Sequence, residues 1–303
     1  MRQHKLALCK AHYLEWVPAQ TRRFIEHYEM FNPHERVLVA VSGGKDSLAL
    51  WDVLYRLGYQ ADGLYIGLGI DNDQGYSSES LRYCVAFAEQ HGLKLIVYDV
   101  MQEEGASIPE AARHTRRGRE KPCSVCGLTK RHIMNRLALD GEYHVLATGH
   151  NLDDEAAVLF SNTLHWHVGY LQRQGPVLPS RPGFIRKVKP FFRFYERETA
   201  AYALMQDINY IYDECPYATG ATSIYYKEIL NRLEADRPGA KLSFYLAYLR
   251  AKDSIQFTAE SKREGLLLAC DSCGQPTSAP GHCAYCRTWD QVRERMQESP
   301  FPE

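Results

Sequence analysis

The chain has 303 residues, 45% of them hydrophobic and 24% charged, with a formal net charge of -1. That balance fits a globular protein of one large domain or about two, and it neither demands nor forbids a nucleic-acid partner. No apolar run approaches the roughly 18 residues that span a bilayer, and the opening MRQHKLALCKAHYLEW has no secretory apolar stretch, so a cytoplasmic protein with no membrane partner is expected. The nine cysteines fall mostly in pairs three residues apart, which in a reducing cytosol read as metal ligands rather than disulfides.

Residues 1–32 are expected to form a polar segment and a helix. They carry Cys9 and His12 at ligand spacing, with His4 as a further candidate. From residue 33, apolar runs (RVLVAV, DGLYIGLGI, LKLIVYDV, YHVLATGH) alternate with amphipathic ones (DSLALWDVLYRLG, SSESLRYCVAFAEQHG, LDDEAAVLFSNTL). Continuous apolar strands separated by helices predict an α/β fold with a doubly wound parallel sheet. Gly58 and Gly92 stand where helices end. Cys84, in LRYCVAFA, is assigned to the core. From about Glu196 the pattern is mostly helical, up to residue 265. A cysteine-rich module at 266–290 and a tail at 291–303 complete the expected organisation.

Two segments, RHTRRGREKP (113–122) and RPGFIRKVKPFFRFYER (181–197), concentrate basic residues. They suit phosphate contact and base stacking, although a solvated charged face has the same composition. His165 and His167 in NTLHWHVGYL read as a loop packed around Trp166 or as an RNA contact, ahead of a metal pair. The tyrosine-rich run INYIYDECPYATGATSIYY reads as core and shielding rather than a stacking platform.

The first strand runs into Ser42-Gly43-Gly44-Lys45-Asp46-Ser47 and then directly into a helix. In a parallel sheet, ligands bind beyond the strand C-termini. Glycines there admit a phosphate to the backbone, and the helix N-terminus offers free N–H groups. Lys45 and the serines add donors, and Asp46 can hold Mg²⁺ or orient a reacting group. This is a phosphate cradle but not a Walker A loop, whose spacing is absent. A second polar loop, ATGHNLDDEAAVLF, brings Gly149, Asp153 and Asp154 to the start of another helix. There the two aspartates either complement the helix dipole or serve the nucleotide site.

Cys123 and Cys126 are expected just before a helix that starts near Gly127, and have no second Cys-x-x-Cys nearby. Cys215, in ECPYATGA, is the remaining candidate. Three thiolates would leave one position of a metal centre open, as in a reactive site; a redox dithiol is the alternative. By contrast, Cys270, Cys273, Cys283 and Cys286 form two knuckles matching a closed structural Zn²⁺ site. Such a site supplies about 10–16 kcal/mol of apparent folding energy, enough for a module with almost no core.

Ser-Gly-Gly-x-Asp-Ser after a first strand resembles the loop of the PP-loop ATP pyrophosphatases, a HUP-like fold whose members cleave ATP between the α- and β-phosphates. The order of this loop, CSVCGLTKR, TGHNLDDEAAVLF, RQGPVLP and ECPYATGA is similar to that of TtuA-type tRNA 2-thiouridine synthetases, over nearly the whole chain. The resemblance implies a [4Fe–4S] cluster on Cys123, Cys126 and Cys215, and a catalytic place for Lys130. It also implies tRNA as substrate (most specifically the T-loop uridine at position 54), a ubiquitin-like thiocarboxylate as sulfur donor, and a homodimer. ATP bound by Ser42, Gly43, Gly44, Lys45, Asp46, Ser47, Gly149, Asp153 and Asp154 would adenylate the uridine, with Mg²⁺. Asp46, Lys130 and Asp154 are the expected catalytic residues. The family's N-terminal zinc finger is incomplete here. Cys9 and His12 match its second half with no Cys-x-x-Cys upstream, and a remnant without metal is expected. Wobble-uridine thiolation, a nitrogen-transferring PP-loop ligase or amidotransferase, and a non-catalytic zinc-bearing RNA-binding protein are the alternatives.

Overall fold

The computed structural model describes residues 4, 6–71, 75–218, 222–252, 254 and 267–298, apart from the side chains of Arg117 and Glu120. The expected boundary at 265/266 and the tail residues 299–303 lie outside the described residues. After α1 (Lys10–His27) come β1 (Val37–Val41), α2 (Lys45–Arg56), β2 (Ala61–Gly67), α3 (Tyr76–His91) and β3 (Leu95–Asp99). Three short helices, α4 (Val100–Glu104), α5 (Ile108–His114) and α6 (Arg116–Glu120), lead into α7 (Pro122–Asp140) and β4 (Val145–Thr148). Then follow α8 (Leu152–Leu164), α9 (Val168–Arg173), β5 (Val177–Leu178), β6 (Arg186–Val188) and α10 (Glu196–Met205). The chain continues with α11 (Thr222–Asp236), α12 (Ala240–Ala251), β7 (Leu268–Ala269), β8 (Pro276–Thr277) and α13 (Ala284–Glu298).

The main sheet has the order β3-β2-β1-β4-β6-β5, parallel except for the β5–β6 pair at one edge. The four strands expected from apolar runs are adjacent in it, with β3 forming one edge. The two-residue β5 and three-residue β6 are too short to show a period, and no strand was expected there. Both faces are covered, as a near-continuous apolar strand requires. Val37, Val39 and Val41 of β1 face one core with Val145 and Ala147 of β4. Leu38 and Ala40 face the other, with Leu64 and Leu146, against Ala138 of α7 and Tyr143. Gly58 and Gly92 follow α2 and α3 with φ of +79° and +62°, the left-handed conformation that closes a helix without a Cβ clash. Cys84 is fully buried in the first core, as expected.

Two elements depart from expectation. A helix starting near Gly127 was expected, but α7 starts at Pro122, so Cys123 and Cys126 occupy its first turns. Proline is preorganised for the first helical position, where its missing N–H costs nothing. The C-terminal cysteine module also has a core, which it shares. Tyr285, Trp289 and Val292 of α13 are buried with Ile108, Val125 and Ile133. Tyr285 stacks on His132 of α7, with centroids 3.7 Å apart and planes at 6°, and Trp289 Nε1 donates to Thr129 Oγ1 at 3.3 Å. The helix bearing Cys286 runs unbroken through residue 290 to Glu298.

Candidate nucleotide and thiolate site

The loops after β1 and β4 meet at the C-terminal edge of the sheet. A Cβ on Gly149 would stand 2.8 Å from the Asp46 carbonyl carbon, so only glycine lets the loops touch. Gly43 adopts φ +73°, and a Cβ there would come 2.5 Å from Ser80 O. Its own carbonyl accepts from Ile211 N at 2.9 Å. Ser47 holds the loop in shape: its Oγ accepts from Ser42 N at 3.1 Å and donates to Gly44 O at 2.9 Å. Gly44 caps α2 without a side-chain acceptor, leaving the helix N-terminus open to an anion.

Lys45 Nζ lies 3.1 Å from Asp46 Oδ2 and 2.8 Å from Glu196 Oε1. Burial disfavours the ammonium, but the two carboxylates outweigh it and hold its pKa above the ordinary value. Burial lifts the Asp46 carboxyl above the usual range despite Lys45 and the Thr199 hydroxyl, which donates to it. The chain of charge continues: Lys227 Nζ is 3.2 Å from Glu196 Oε2 and 2.6 Å from Asp154 Oδ1. Burial opposes the Lys227 charge, and Asp154 and Glu196 together raise its pKa. Glu196 is lowered, since its contacts to Lys45 and Lys227 overcome burial.

The adjacent aspartates of α8 differ sharply. Asn151 caps the helix, accepting from Asp153 N and Asp154 N, while Asp154 Oδ2 accepts from Asn151 N at 3.1 Å. Asp154 keeps 26% exposure. Asp153 is almost completely buried, paired with Lys241 and accepting from Glu196 N at 2.9 Å. Lys241 Nζ also donates to Asn231 Oδ1 at 2.6 Å. Glu155, the next residue, is buried between Lys189 Nζ at 2.6 Å and Tyr245 OH at 2.9 Å.

Beside this network the structure gathers Cys123, Cys126 and Cys215. Burial raises the Cys126 thiol, Lys130 one turn on lies in hydrogen-bonding reach and opposes that rise, and Cys215 and Cys123 add to it. Cys123 Sγ donates to Tyr217 O at 3.4 Å. Tyr76, at the start of α3, faces the same group: burial raises its pKa, as do Cys215 and Cys126. The two halves of the site meet at His150. Its side chain is solvent-accessible yet crowded by the walls of the cleft, and that crowding lowers its pKa against the pull of Asp154, with Lys189, Glu155 and Lys130 also in range. Glu196, Lys227, Lys241, His150 and Tyr76 were not singled out from sequence. Only His150 had a signal, sitting inside the TGHN loop.

Among the described residues, Cys270, Cys273, Cys283 and Cys286 are the only group whose ligand atoms all lie within 4.8 Å of one another. Sγ–Sγ is 3.8 Å for Cys270–Cys286 and for Cys273–Cys283, matching the edge of a tetrahedron with Zn–S of about 2.3 Å. Cys283 N donates to Cys270 Sγ at 3.1 Å. Cys123 and Cys215 lie in electrostatic range of Cys126, but the three thiols do not all come within 4.8 Å of one another. At the N-terminus, Cys9 Sγ is 3.3 Å from His12 Nδ1. His4 turns away to Glu198 Oε1 at 2.9 Å and packs on Trp16, so it does not join them. His165 and His167 stack on each other. The tyrosine run is mixed rather than core throughout: Tyr210 is buried, while Tyr212 is 74% exposed and Tyr225 60%.

Residues 17–219 match the model of the PP-loop domain. The chain is 51% identical to the tRNA-5-methyluridine(54) 2-sulfurtransferase of Thermus thermophilus, over 98% of this chain and 90% of that protein. It is 42% identical to the enzyme of the same name from Pyrococcus horikoshii, over 98% of this chain and 94% of the relative. In fold it resembles the U34-tRNA thiolase NcsA from Methanococcus maripaludis, described with its [4Fe-4S] cluster, at TM-score 0.76 and 23% identity over 100% of this chain and 93% of that one. A phosphate cradle at the first strand, a carboxylate loop at the fourth and three converging thiols thus occur in a chain that belongs to the PP-loop family and, within it, to the tRNA 2-sulfurtransferases.

Proposed function

We propose that the protein converts a uridine of tRNA to 2-thiouridine with ATP, the target being the uridine at position 54 that its relatives are named for. The observation that supports this most directly is the packing of the carboxylate loop onto the phosphate cradle, Gly149 against Asp46, in a chain that also brings Cys123, Cys215 and Lys130 to Cys126. The uracil carbonyl oxygen is a poor leaving group. It attacks the α-phosphorus of ATP, pyrophosphate departs, and the oxygen later leaves as AMP when sulfide adds at C2. The sulfur arrives already at the sulfide level, so no external reductant is needed.

The backbone at Gly43 and Gly44 and the N-terminus of α2 hold the phosphates. Lys45 trades its carboxylate partners for phosphate oxygens as the nucleotide enters. Asp46 and Asp154 hold Mg²⁺ and face the reacting base. Asp153, paired with buried Lys241, anchors the first turn of α8. Gly149 keeps the two loops in register, while Ser42 and Ser47 shape the cradle. Lys130, at the mouth beside Cys126, stabilises charge on the carbonyl oxygen as it is displaced. Cys123, Cys126 and Cys215 would hold a [4Fe–4S] cluster, which supplies when bound an iron without a protein ligand at which sulfide is presented. Cys270, Cys273, Cys283 and Cys286 would hold a structural zinc. A ubiquitin-like thiocarboxylate protein as donor, a homodimer and a cytoplasmic location complete the proposal. The nitrogen-transferring alternative has no use for three converging thiols, and a purely RNA-binding protein has none for Lys45 and Asp46.

The test is iron and acid-labile sulfide content after anaerobic purification, followed by ATP-dependent thiolation of tRNA. About four of each per chain and sulfur incorporation are expected. Cys215→Ser should lose both while still binding ATP. Zinc alone, with no iron after reconstitution, would overturn the cluster assignment.

A further inference from the structure

The C-terminal end of α8 and the short helix after it expose aromatic side chains that the thiolation site does not use. Trp166 is 72% exposed and Tyr170 is 62% exposed. His165 and His167 stack with centroids 5.2 Å apart and planes at 17°. The His167 ring lies 5.7 Å from Tyr170, whose ring is capped by the Arg173 guanidinium at 5.7 Å. Trp166 has φ +48°, the left-handed region that bulky residues avoid, at the position past a helix C-cap where glycine is usual. Packing does not explain this. Glycine would close the same turn without strain and remove an indole from water, and strain that persists on an exposed side chain points to use.

Arg173 supplies the positive charge at the patch, and no Asp or Glu occurs in the sequence between Glu155 and Glu196. Of the other basic residues in that stretch, Arg186 pairs with Glu35 and Lys189 with Glu155. We propose that this face docks the substrate RNA, an unpaired base stacking on Trp166 while Arg173 meets the adjoining phosphate. The proposal rests on the tRNA substrate named above and adds where that substrate is held. Helix α8 links the two places: its first turn carries Asp154, and its last residue lies about 20 Å away at 1.5 Å per residue, a distance a folded RNA spans. A second copy of the chain is the other occupant an aromatic patch attracts. In a two-fold dimer, however, Arg173 would meet a copy of the same patch, which has no carboxylate of its own segment to offer, whereas a polyanion is drawn to it.

Trp51 and Trp289 are fully buried and Trp16 is partly buried, so the part of the tryptophan quenching by an unmodified tRNA transcript that is lost in Trp166→Phe reports on Trp166. Saturable quenching is expected. By filter binding, Trp166→Gly should weaken transcript affinity about fivefold or more, and Trp166→Phe should stay within about twofold. ATP affinity should be unchanged in both. The glycine variant should also melt higher, by about 2 °C, since it relieves the turn, so weaker binding cannot be ascribed to unfolding. A more stable Trp166→Gly protein with unchanged transcript affinity overturns the proposal. So does a shift from dimer to monomer in sedimentation with affinity intact, which gives the face to a second copy. Binding is read without ATP, so failure to incorporate sulfur would sink the thiolation chemistry and leave this proposal standing.

Discussion

Asp153 and Asp154 are neighbours in sequence, yet one is locked into the fold and the other faces the cleft, because each meets a different lysine. Lys241 removes Asp153 from solvent in a pair that has 4% and 6% exposure; deleting one partner of such a pair leaves a buried charge and costs about 3–5 kcal/mol. Lys227 instead steadies a half-exposed Asp154 and shares Glu196 with Lys45. Both lysines lie beyond the residues 17–219 matched by the PP-loop domain, so the site is completed from outside that domain. A single lysine in SIYYKEILNR or PGAKLSFY has no spacing to mark it, which is why neither was legible. Lys227→Met should lower thiolation kcat about a hundredfold, the scale of an ångström of misplacement, with transcript affinity unchanged. Lys227→Arg should recover most of that loss, and equal loss in both variants would assign Lys227 to folding alone.

Helix α7 joins the thiol site to the cysteine module. Its first turns carry Cys123, Cys126 and Lys130, and its buried face carries Val125, Thr129 and His132 against α13. Removing the proposed zinc with a chelator should therefore raise amide exchange in α7 as well as in residues 267–298, and exchange confined to the module would refute the coupling. Gln275 Nε2 donates to the His132 backbone carbonyl at 3.2 Å. Burial, then Arg136, lowers the His132 pKa from 6.5 to about 4. The folded state thus takes up its proton later than the unfolded chain. Its stabilising contribution is complete above about pH 6.5 and is lost as pH falls toward 4, by about 3 kcal/mol at most. The stability of His132→Gln should fall less over this window than wild type, as read by denaturant melts; parallel curves would show that His132 does not carry the dependence.

Over the whole molecule, β1, β2 and β4 were legible because each is an inner strand, mostly buried, and so reads as an apolar run; the edge strand β3 kept an apolar run although Val97 is exposed. The PP-loop and the paired knuckles were legible because their chemistry is local: glycines for close approach, thiols spaced for one ion. The third cysteine of the site was named by elimination as the remaining candidate, and resemblance supplied the cluster, since nothing near Cys215 marks its partners. The short strands β5 and β6 and the shared core of the cysteine module were not read. Each depends on what a neighbouring element covers. The sequence by itself determined the sheet, the phosphate cradle and the zinc-type knuckles, whose forces act within a few residues. Only the tertiary structure decided which aspartate is free, which lysines hold the charge chain together, and that His150 stands among Asp154, Lys189, Glu155 and Lys130. Coulomb and burial energies act between groups close in space, however far apart they lie along the chain.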